Sequence, residues 1–63
     1  MNNNLKVIRE KANLTQEELA RISGVSRGTI SSIEREIDMD IKSSTLIALS
    51  KALGKQVSDI FFN

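Results

Sequence analysis

Apolar residues recur along this chain at spacings of three and four, with polar residues between them, and glycine or asparagine stands at several of the breaks. Side chains three and four positions apart share one face of an α-helix. The chain contains no proline, so nothing of that kind interrupts the pattern. The pattern predicts an all-α fold in which short helices pack together through one apolar face each.

The most informative segment runs from Thr15 to Glu34 and reads TQEELARISGVSRGTISSIE. Ala20 is small at the point where two helices can cross closely. Gly24 follows at the position where a chain leaving a helix often turns through a left-handed conformation, which glycine adopts at little cost. The segment therefore predicts two helices joined by a tight turn, with an inward apolar face formed by Leu19, Ile22, Val25, Ile30 and Ile33.

Polar residues mark where these two helices begin. Thr15 and Glu18 have the spacing of a capping box, in which each side chain bonds the backbone amide of the other residue. Ser26 can cap the next helix, which we expect to run to about Arg35. Gln16 then lies in the first turn of its helix, close to free backbone amides that attract an anion.

The flanking segments predict three more helices. Asn4 can cap a first helix from about Leu5 to Ala12, which Asn13 would end by adopting a left-handed conformation. A fourth helix is expected from near Ser43 to a C-terminal cap at Gly54. Its inward face would carry Leu46, Leu49 and Leu53, and a last short helical stripe would carry Val57, Ile60 and Phe61.

Between the third and fourth helices lies EIDMDIK, residues 36–42, which we predict to be a loop. Ile37 or Ile41 would fill a gap in the core, and Asp40 could help to cap the fourth helix. Ile47 and Phe62 have no evident inward role. Two large apolar side chains left outward on so small a domain indicate a partner surface.

Composition limits the function without identifying it. A chain of 63 residues is expected to form a single domain, 1–63, and its net charge of +1 does not by itself indicate nucleic acid. Histidine and cysteine are both absent, so the commonest general base and metal ligands are missing. We therefore expect no enzymatic activity, no metal and no cofactor, and, without an apolar segment of membrane-spanning length, a cytoplasmic protein.

Two outward positions on the third helix could read DNA. Arg27 has a planar fork that suits bidentate contact with O6 and N7 of guanine. Gly28 is costly inside a helix, which is explained if a base edge comes close to the backbone or if the first turn merely tolerates glycine. Arg9 and Glu34 could form an ion pair between the first and third helices, or remain two solvated surface charges.

The segments LTQEELA, GVSRGTIS, IE and LIALSKALG together resemble the Cro/C1-type (XRE) family of helix-turn-helix regulators. The resemblance covers nearly the whole chain. It implies a compact five-helix, lambda-repressor-like DNA-binding domain with the helix-turn-helix at helices 2 and 3, residues 15–35. It also implies a homodimer, formed through the C-terminal helices at residues 43–62, that binds a twofold-symmetric operator on double-stranded DNA.

The resemblance assigns roles to individual residues. Base contacts fall on Arg27, Gly28 and Ser32, and Gln16 would touch phosphate and brace the recognition helix. The family's pairing of an arginine in helix one with a glutamate at the end of helix three favours the Arg9–Glu34 pair. The other backbone contacts would come from Thr15, Ser26, Thr29 and Arg35, and the dimer interface from Ile47, Val57, Ile60 and Phe62.

Two features depart from the family pattern. Glu36 stands where a glycine usually follows helix three, and the loop at 36–40 carries acidic residues where relatives often carry basic ones. Few phosphates should therefore be neutralised per subunit. The sequence predicts a transcriptional regulator that acts as a repressor; an alternative is a protein-interaction or antitoxin-like module that uses the same fold to bind a regulatory protein through Ile47, Ile60 and Phe62.

Overall fold

The computed structural model describes residues 2–37 and 40–62, in which five helices enclose one apolar core and two very short strands join the chain ends. The predicted all-α, five-helix fold is confirmed, with the strands as an addition. In chain order the elements are β1 (Asn2–Asn3), α1 (Leu5–Lys11), α2 (Gln16–Ser23), α3 (Arg27–Glu34), α4 (Ser43–Leu53), α5 (Val57–Ile60) and β2 (Phe61–Phe62).

The core is formed by side chains from every helix and from β2. Leu19, Ile30 and Leu49 are fully buried and join α2, α3 and α4. Ala20 is half-buried and packs against this cluster, as expected of a small residue at a close helix crossing. In the part of the chain that the structure describes, the buried apolar residues are Leu5, Leu19, Val25, Ile30, Ile33, Leu49, Ile60 and Phe61.

The strands pair antiparallel, with Asn2 opposite Phe62 and Asn3 opposite Phe61. The last helical stripe was therefore predicted one residue too long: α5 ends at Ile60, and Phe61 has extended backbone. Aromatic residues favour strands, and here Phe61 gains backbone bonds to the N-terminal segment while its ring stays in the core. The N–H of Asn4 also donates to Ile60 O at 2.7 Å, which extends this connection.

α1 begins at Leu5 with Asn4 at the N-cap, as predicted, but the capping bond comes from a different residue. Asn4 stands at the N-cap but its side chain makes no capping bond; instead Asn3 Oδ1 accepts the N–H of Leu5 at 3.0 Å. The nitrogen of the same side-chain amide, Nδ2, donates to Ile33 O at 2.9 Å, so Asn3 connects the start of α1 to α3. At the other end α1 stops at Lys11, one residue before the expected Ala12, and Asn13 has the expected left-handed backbone, φ 60°.

Among the described residues of the loop before α4, one apolar side chain reaches the core. Ile41 is half-buried and packs against it, whereas Ile37 is largely exposed. Asp40 does not cap α4. The N-cap residue is Lys42, and among the described residues no side chain makes a capping hydrogen bond at this end of the helix. Asp38 and Met39 lie outside the described residues.

α4 ends as predicted at Gly54, whose φ is 66°. Leu49 on this helix is fully buried, while Leu46 and Leu53 are half-buried against the core. Within residues 2–37 and 40–62, no helix has both the length and the apolar character needed to cross a bilayer.

Candidate nucleic-acid interface

The turn between α2 and α3 fixes how α3 is presented. Gly24 has φ 77°, and its N–H donates to Ala20 O at 2.9 Å, which ends α2. The next N–H, of Val25, donates to Ser23 Oγ at 3.1 Å, and the Val25 side chain is buried. Ile22, predicted to face inward, is instead 46% exposed and borders a cavity shared with residues of α4.

Each of the two helices begins with a side-chain cap, as predicted. Thr15 Oγ1 accepts the N–H of Glu18 at 3.0 Å, and Glu18 Oε1 accepts the N–H of Thr15 at 2.9 Å. These bonds to the backbone and hydroxyl of Thr15 lower the pKa of Glu18. Ser26 Oγ accepts the N–H of Thr29 at 3.1 Å, and its hydroxyl donates to Thr29 Oγ1 at 2.8 Å. The Thr29 hydroxyl therefore keeps its own hydrogen for another acceptor.

An ion pair between Arg9 and Glu34 connects α1 to α3. Arg9 donates from Nε to Glu34 Oε2 at 2.7 Å and from Nη2 to Glu34 Oε1 at 3.0 Å, the bidentate geometry that guanidinium and carboxylate prefer. The Arg9 and Glu34 side chains are only 10% and 3% exposed, so the reading of two solvated charges is wrong. Arg9 also donates from Nη1 to Leu14 O at 2.7 Å, a contact that the sequence pattern did not indicate.

Gln16 joins the same group. Its Nε2 donates to Glu34 Oε1 at 3.0 Å, so the first residue of α2 holds the last residue of α3. Burial would raise the pKa of Glu34, but the hydrogen bonds from Arg9 and Gln16, with the positive charges of Arg9 and Lys6, lower it overall. The hydrogen bond to Glu34 raises the pKa of Arg9, despite the opposing effect of burial. Both groups are charged at neutral pH, and this cluster orients α3 against α1 and α2.

The outward face of α3 carries the three predicted base-contact residues. Arg27 begins the helix with 61% of its side chain exposed, and Glu17 of α2 approaches it, Oε1 lying 3.9 Å from the Arg27 Nε. Gly28 is also exposed, and Ser32, one turn further along, is half-buried. Sequence spacing gave no reason to link Glu17 with Arg27, since they lie on different helices.

No contact or backbone conformation in the described residues requires glycine at position 28. Its φ lies outside the left-handed range, unlike that of Gly24, and a Cβ added to it would meet no atom of a neighbouring element within 4 Å in the described residues. A glycine in a helix costs about 0.5–1 kcal/mol relative to alanine. The space that Gly28 leaves therefore opens only outward.

The backbone adopts an unfavourable conformation shortly after the end of α3. Arg35 is the exposed C-cap, and Glu36 after it has φ 57°, the left-handed region that disfavours residues with a side chain. The family's usual glycine would fit this position without strain. Glu36 is one of two non-glycine residues with positive φ in the described part of the chain, the other being Asn13.

The four residues predicted at a dimer interface are not all on the surface. Ile60 is fully buried between the other elements, so its assignment to an interface was wrong: the stripe of α5 that it belongs to faces inward. Val57 is half-buried against the core. Ile47 and Phe62 are exposed, and Ile47 lines a shallow cavity of about 540 Å³ together with Ile22 of α2.

Comparison with known proteins agrees with this geometry. Residues 5–60 match the family described as helix-turn-helix. Over 62 residues the chain is 47% identical to an uncharacterised HTH-type transcriptional regulator of Methanocaldococcus jannaschii, covering 97% of this chain and 91% of that protein. Over 54 residues it is 46% identical to the control protein C.SmaI of Serratia marcescens, covering 86% of this chain but 63% of that protein.

The paired helices, their tight turn and the match over most of the chain define a DNA-binding helix-turn-helix protein. The chain belongs to the helix-turn-helix family of the Cro/C1 (XRE) type. This membership groups it with DNA-binding regulators and not with enzymes.

Proposed function

We propose that this protein is a transcriptional repressor that binds a twofold-symmetric operator on double-stranded DNA as a homodimer. α3 of each subunit enters the major groove of one half-site, and the half-sites lie about one helical turn, ~34 Å, apart. The names of the relatives, a control protein and a transcriptional regulator, support regulation of transcription.

The observation that carries the proposal is the combination of Arg27 and Gly28 at the start of α3. Arg27 supplies an exposed donor fork for guanine. Gly28 leaves outward space that no described part of the protein fills. A base edge or thymine methyl group can approach the backbone there, and Ser32 adds a hydroxyl one turn away.

Phosphate contacts come from the helix starts and from the end of α3. Thr15, Ser26 and Arg35 are exposed, and Thr29 keeps a hydroxyl hydrogen to donate. Gln16 uses Nε2 to hold Glu34, so its contact with phosphate runs through its backbone N–H or the second hydrogen of its amide. The cap side chains thus serve the helix and the DNA together.

Electrostatic attraction contributes little to this binding. Glu36 and Asp40 are exposed residues of the loop after α3, and their negative charges repel DNA phosphates. We expect few phosphates to be neutralised per subunit. A plot of log affinity against log salt should therefore have a slope well short of about −8 for the dimer, and a slope that steep would contradict the proposal.

The DNA assignment is tested by binding to the duplex upstream of the protein's own coding region, against a duplex of the same composition in scrambled order. Wild type should prefer the upstream duplex. Arg27→Ala should lose most of that preference while keeping its fold, whereas Lys55→Ala, which removes the same charge from an exposed residue outside α2 and α3, should keep it. A wild type that does not distinguish the two duplexes contradicts the proposal.

The dimer is tested separately by light scattering. Ile47 and Phe62 expose 46% and 43% of their surfaces, which favours burial against a second copy. Ile47→Asp and Phe62→Asp should shift the mass towards that of the 7.0 kDa monomer. Val7→Asp is the matched control, because Val7 is similarly exposed on α1, outside the predicted interface, and should leave the mass unchanged. A wild type that is monomeric at high concentration would contradict dimerisation.

A protein-interaction role is the second candidate, and the cavity lined by Ile22 and Ile47 favours it. The two functions differ in their DNA results. If no duplex is preferred while the product of a neighbouring gene binds tightly and Ile47→Asp abolishes that binding, the interaction role replaces the regulator.

A further inference from the structure

Glu17 lies beside the arginine that is proposed to read DNA. It is in the first turn of α2, and its Oε1 is 3.9 Å from Nε of Arg27 at the start of α3. The two side chains are 82% and 61% exposed, so neither is held there by burial. The capping box of α2 uses Thr15 and Glu18, which leaves the Glu17 carboxylate outside the capping bonds.

We propose that Glu17 is a positioning residue that restricts Arg27 to the orientation in which it reads guanine, and so sharpens the base specificity of the protein. The inference rests on the proposed function. The carboxylate approaches Nε, on the side of the guanidinium. The two Nη groups at the end of the fork then remain for O6 and N7 of a guanine.

The pair acts mainly when DNA is bound. In the free protein, water screens two exposed charges, and their attraction favours the paired arrangement by no more than about fivefold. A base pair that covers α3 excludes water from the site and strengthens the attraction. Arg27 also loses fewer rotamers on binding if Glu17 already limits them.

The charge of Glu17 also affects the general affinity for DNA. A carboxylate at the DNA-facing end of α2 repels phosphates whatever the base sequence. It lowers affinity for all duplexes, whereas its effect on Arg27 favours only duplexes with guanine at the contacted position. Discrimination therefore rises through Arg27 while general affinity falls, and the exposed acidic residues Glu36 and Asp40 lower general affinity in the same way.

A merely structural role for Glu17 exists and makes a different prediction. A carboxylate in the first turn interacts favourably with the helix dipole, so its loss would lower helix stability. That loss would not alter which base is preferred. Base preference, not stability or overall affinity, is therefore the measurement that separates the two roles.

The test is selection from a duplex library randomised over about 20 base pairs, enough for two half-sites. Glu17→Gln keeps the size of the side chain and removes its charge. Glu10→Gln is the matched control, because Glu10 is an exposed glutamate on α1, a helix that carries neither Glu17 nor Arg27. Arg27→Ala and the double variant Arg27→Ala/Glu17→Gln complete a cycle, and thermal unfolding verifies that all variants fold.

We expect Arg27→Ala to identify the guanine positions by abolishing their preference. At those positions Glu17→Gln should weaken the preference by about three- to tenfold, while Glu10→Gln leaves it unchanged. In the Arg27→Ala background Glu17→Gln should raise affinity for all duplexes but change no base preference further. Equal base preferences for Glu17→Gln and Glu10→Gln, or an effect of Glu17→Gln on base preference that persists without Arg27, would overturn the inference.

Failure of the proposed function looks different from failure of this inference. If wild type selects no sequence from the library, both fall. If wild type selects a guanine-containing sequence that depends on Arg27 but not on Glu17, only the positioning role of Glu17 is lost.

Discussion

The half of this molecule that carries α1, α2 and α3 adds a polar cluster to its share of the apolar core, whereas the half that carries α4 and α5 contributes mainly apolar side chains. In the half that carries α1, α2 and α3, a nearly buried polar cluster of Arg9, Glu34 and Gln16 joins three helices. In the half that carries α4 and α5, apolar side chains such as Leu49 and Ile60 are fully buried. Hydrogen bonds fix direction and distance, whereas apolar packing fixes mainly volume.

The difference corresponds to what each half must do. As proposed, the outward face of α3 meets base edges at defined positions, and a shift of about 1 Å would misplace a bidentate contact. The C-terminal half has to close the core and, as proposed, offer apolar surface to a second copy. A polar cluster suits the first requirement, and adaptable apolar packing suits the second.

The largest expected effect comes from breaking the polar cluster. Arg9→Met should lower the free energy of unfolding by about 3–5 kcal/mol, because Glu34 would be left buried without its cation. A domain of this size has about 3–9 kcal/mol in total, so the variant should be partly unfolded at 37 °C. Urea denaturation followed by circular dichroism measures this.

The double variant Arg9→Met/Glu34→Met separates stability from orientation. Replacing both charges with apolar side chains should restore most of the lost stability. If orientation depends on the polar cluster, DNA discrimination should stay impaired in the refolded double variant. Full recovery of both properties would show that apolar packing can orient α3 as well as the ion pair does.

The matching change in the other half is Leu49→Ala, which should cost about 2–4 kcal/mol through lost burial and the cavity left behind. Leu49→Met keeps the volume and should cost less than about 1.5 kcal/mol. Calorimetric melting of the two variants gives the comparison. Equal losses for Ala and Met would mean that this half depends on side-chain shape, contrary to the distinction drawn above.

A smaller effect is expected where α3 meets the loop. Glu36→Gly should raise the free energy of unfolding by about 0.5–1 kcal/mol, because glycine adopts the left-handed backbone of this position without strain. Glu36→Gln removes the charge but keeps the strain, so its stability should stay close to that of wild type. A gain in Gln equal to that in Gly would assign the effect to charge and not to backbone conformation.

The sequence predicted the parts that depend on local rules. The capping box at Thr15, the left-handed turn at Gly24 and the helix end at Gly54 each follow from one residue type at one spacing, and all three are confirmed. These three features need no knowledge of how distant segments pack. The Arg9–Glu34 contact does join distant segments, and the family resemblance was what favoured it.

Periodicity and local spacing did not predict the features that depend on contacts between distant segments. Ile60 was assigned to a surface because helical spacing cannot tell an inward stripe from an outward one when the packing partners are unknown. Ile22 was assigned inward for the same reason. The strand pair between Asn2–Asn3 and Phe61–Phe62 joins opposite ends of the chain, and the contact between Glu17 and Arg27 joins two helices; neither leaves a periodic signal.

We propose that Gly28 serves DNA binding and not the fold, and the Gly28→Ala variant separates these two roles. The added methyl group meets no neighbouring element in the described residues, so the free energy of unfolding should rise by about 0.5–1 kcal/mol. Affinity for the preferred upstream duplex, measured by fluorescence anisotropy, should fall. A variant that is more stable and binds that duplex as tightly as wild type would contradict the account.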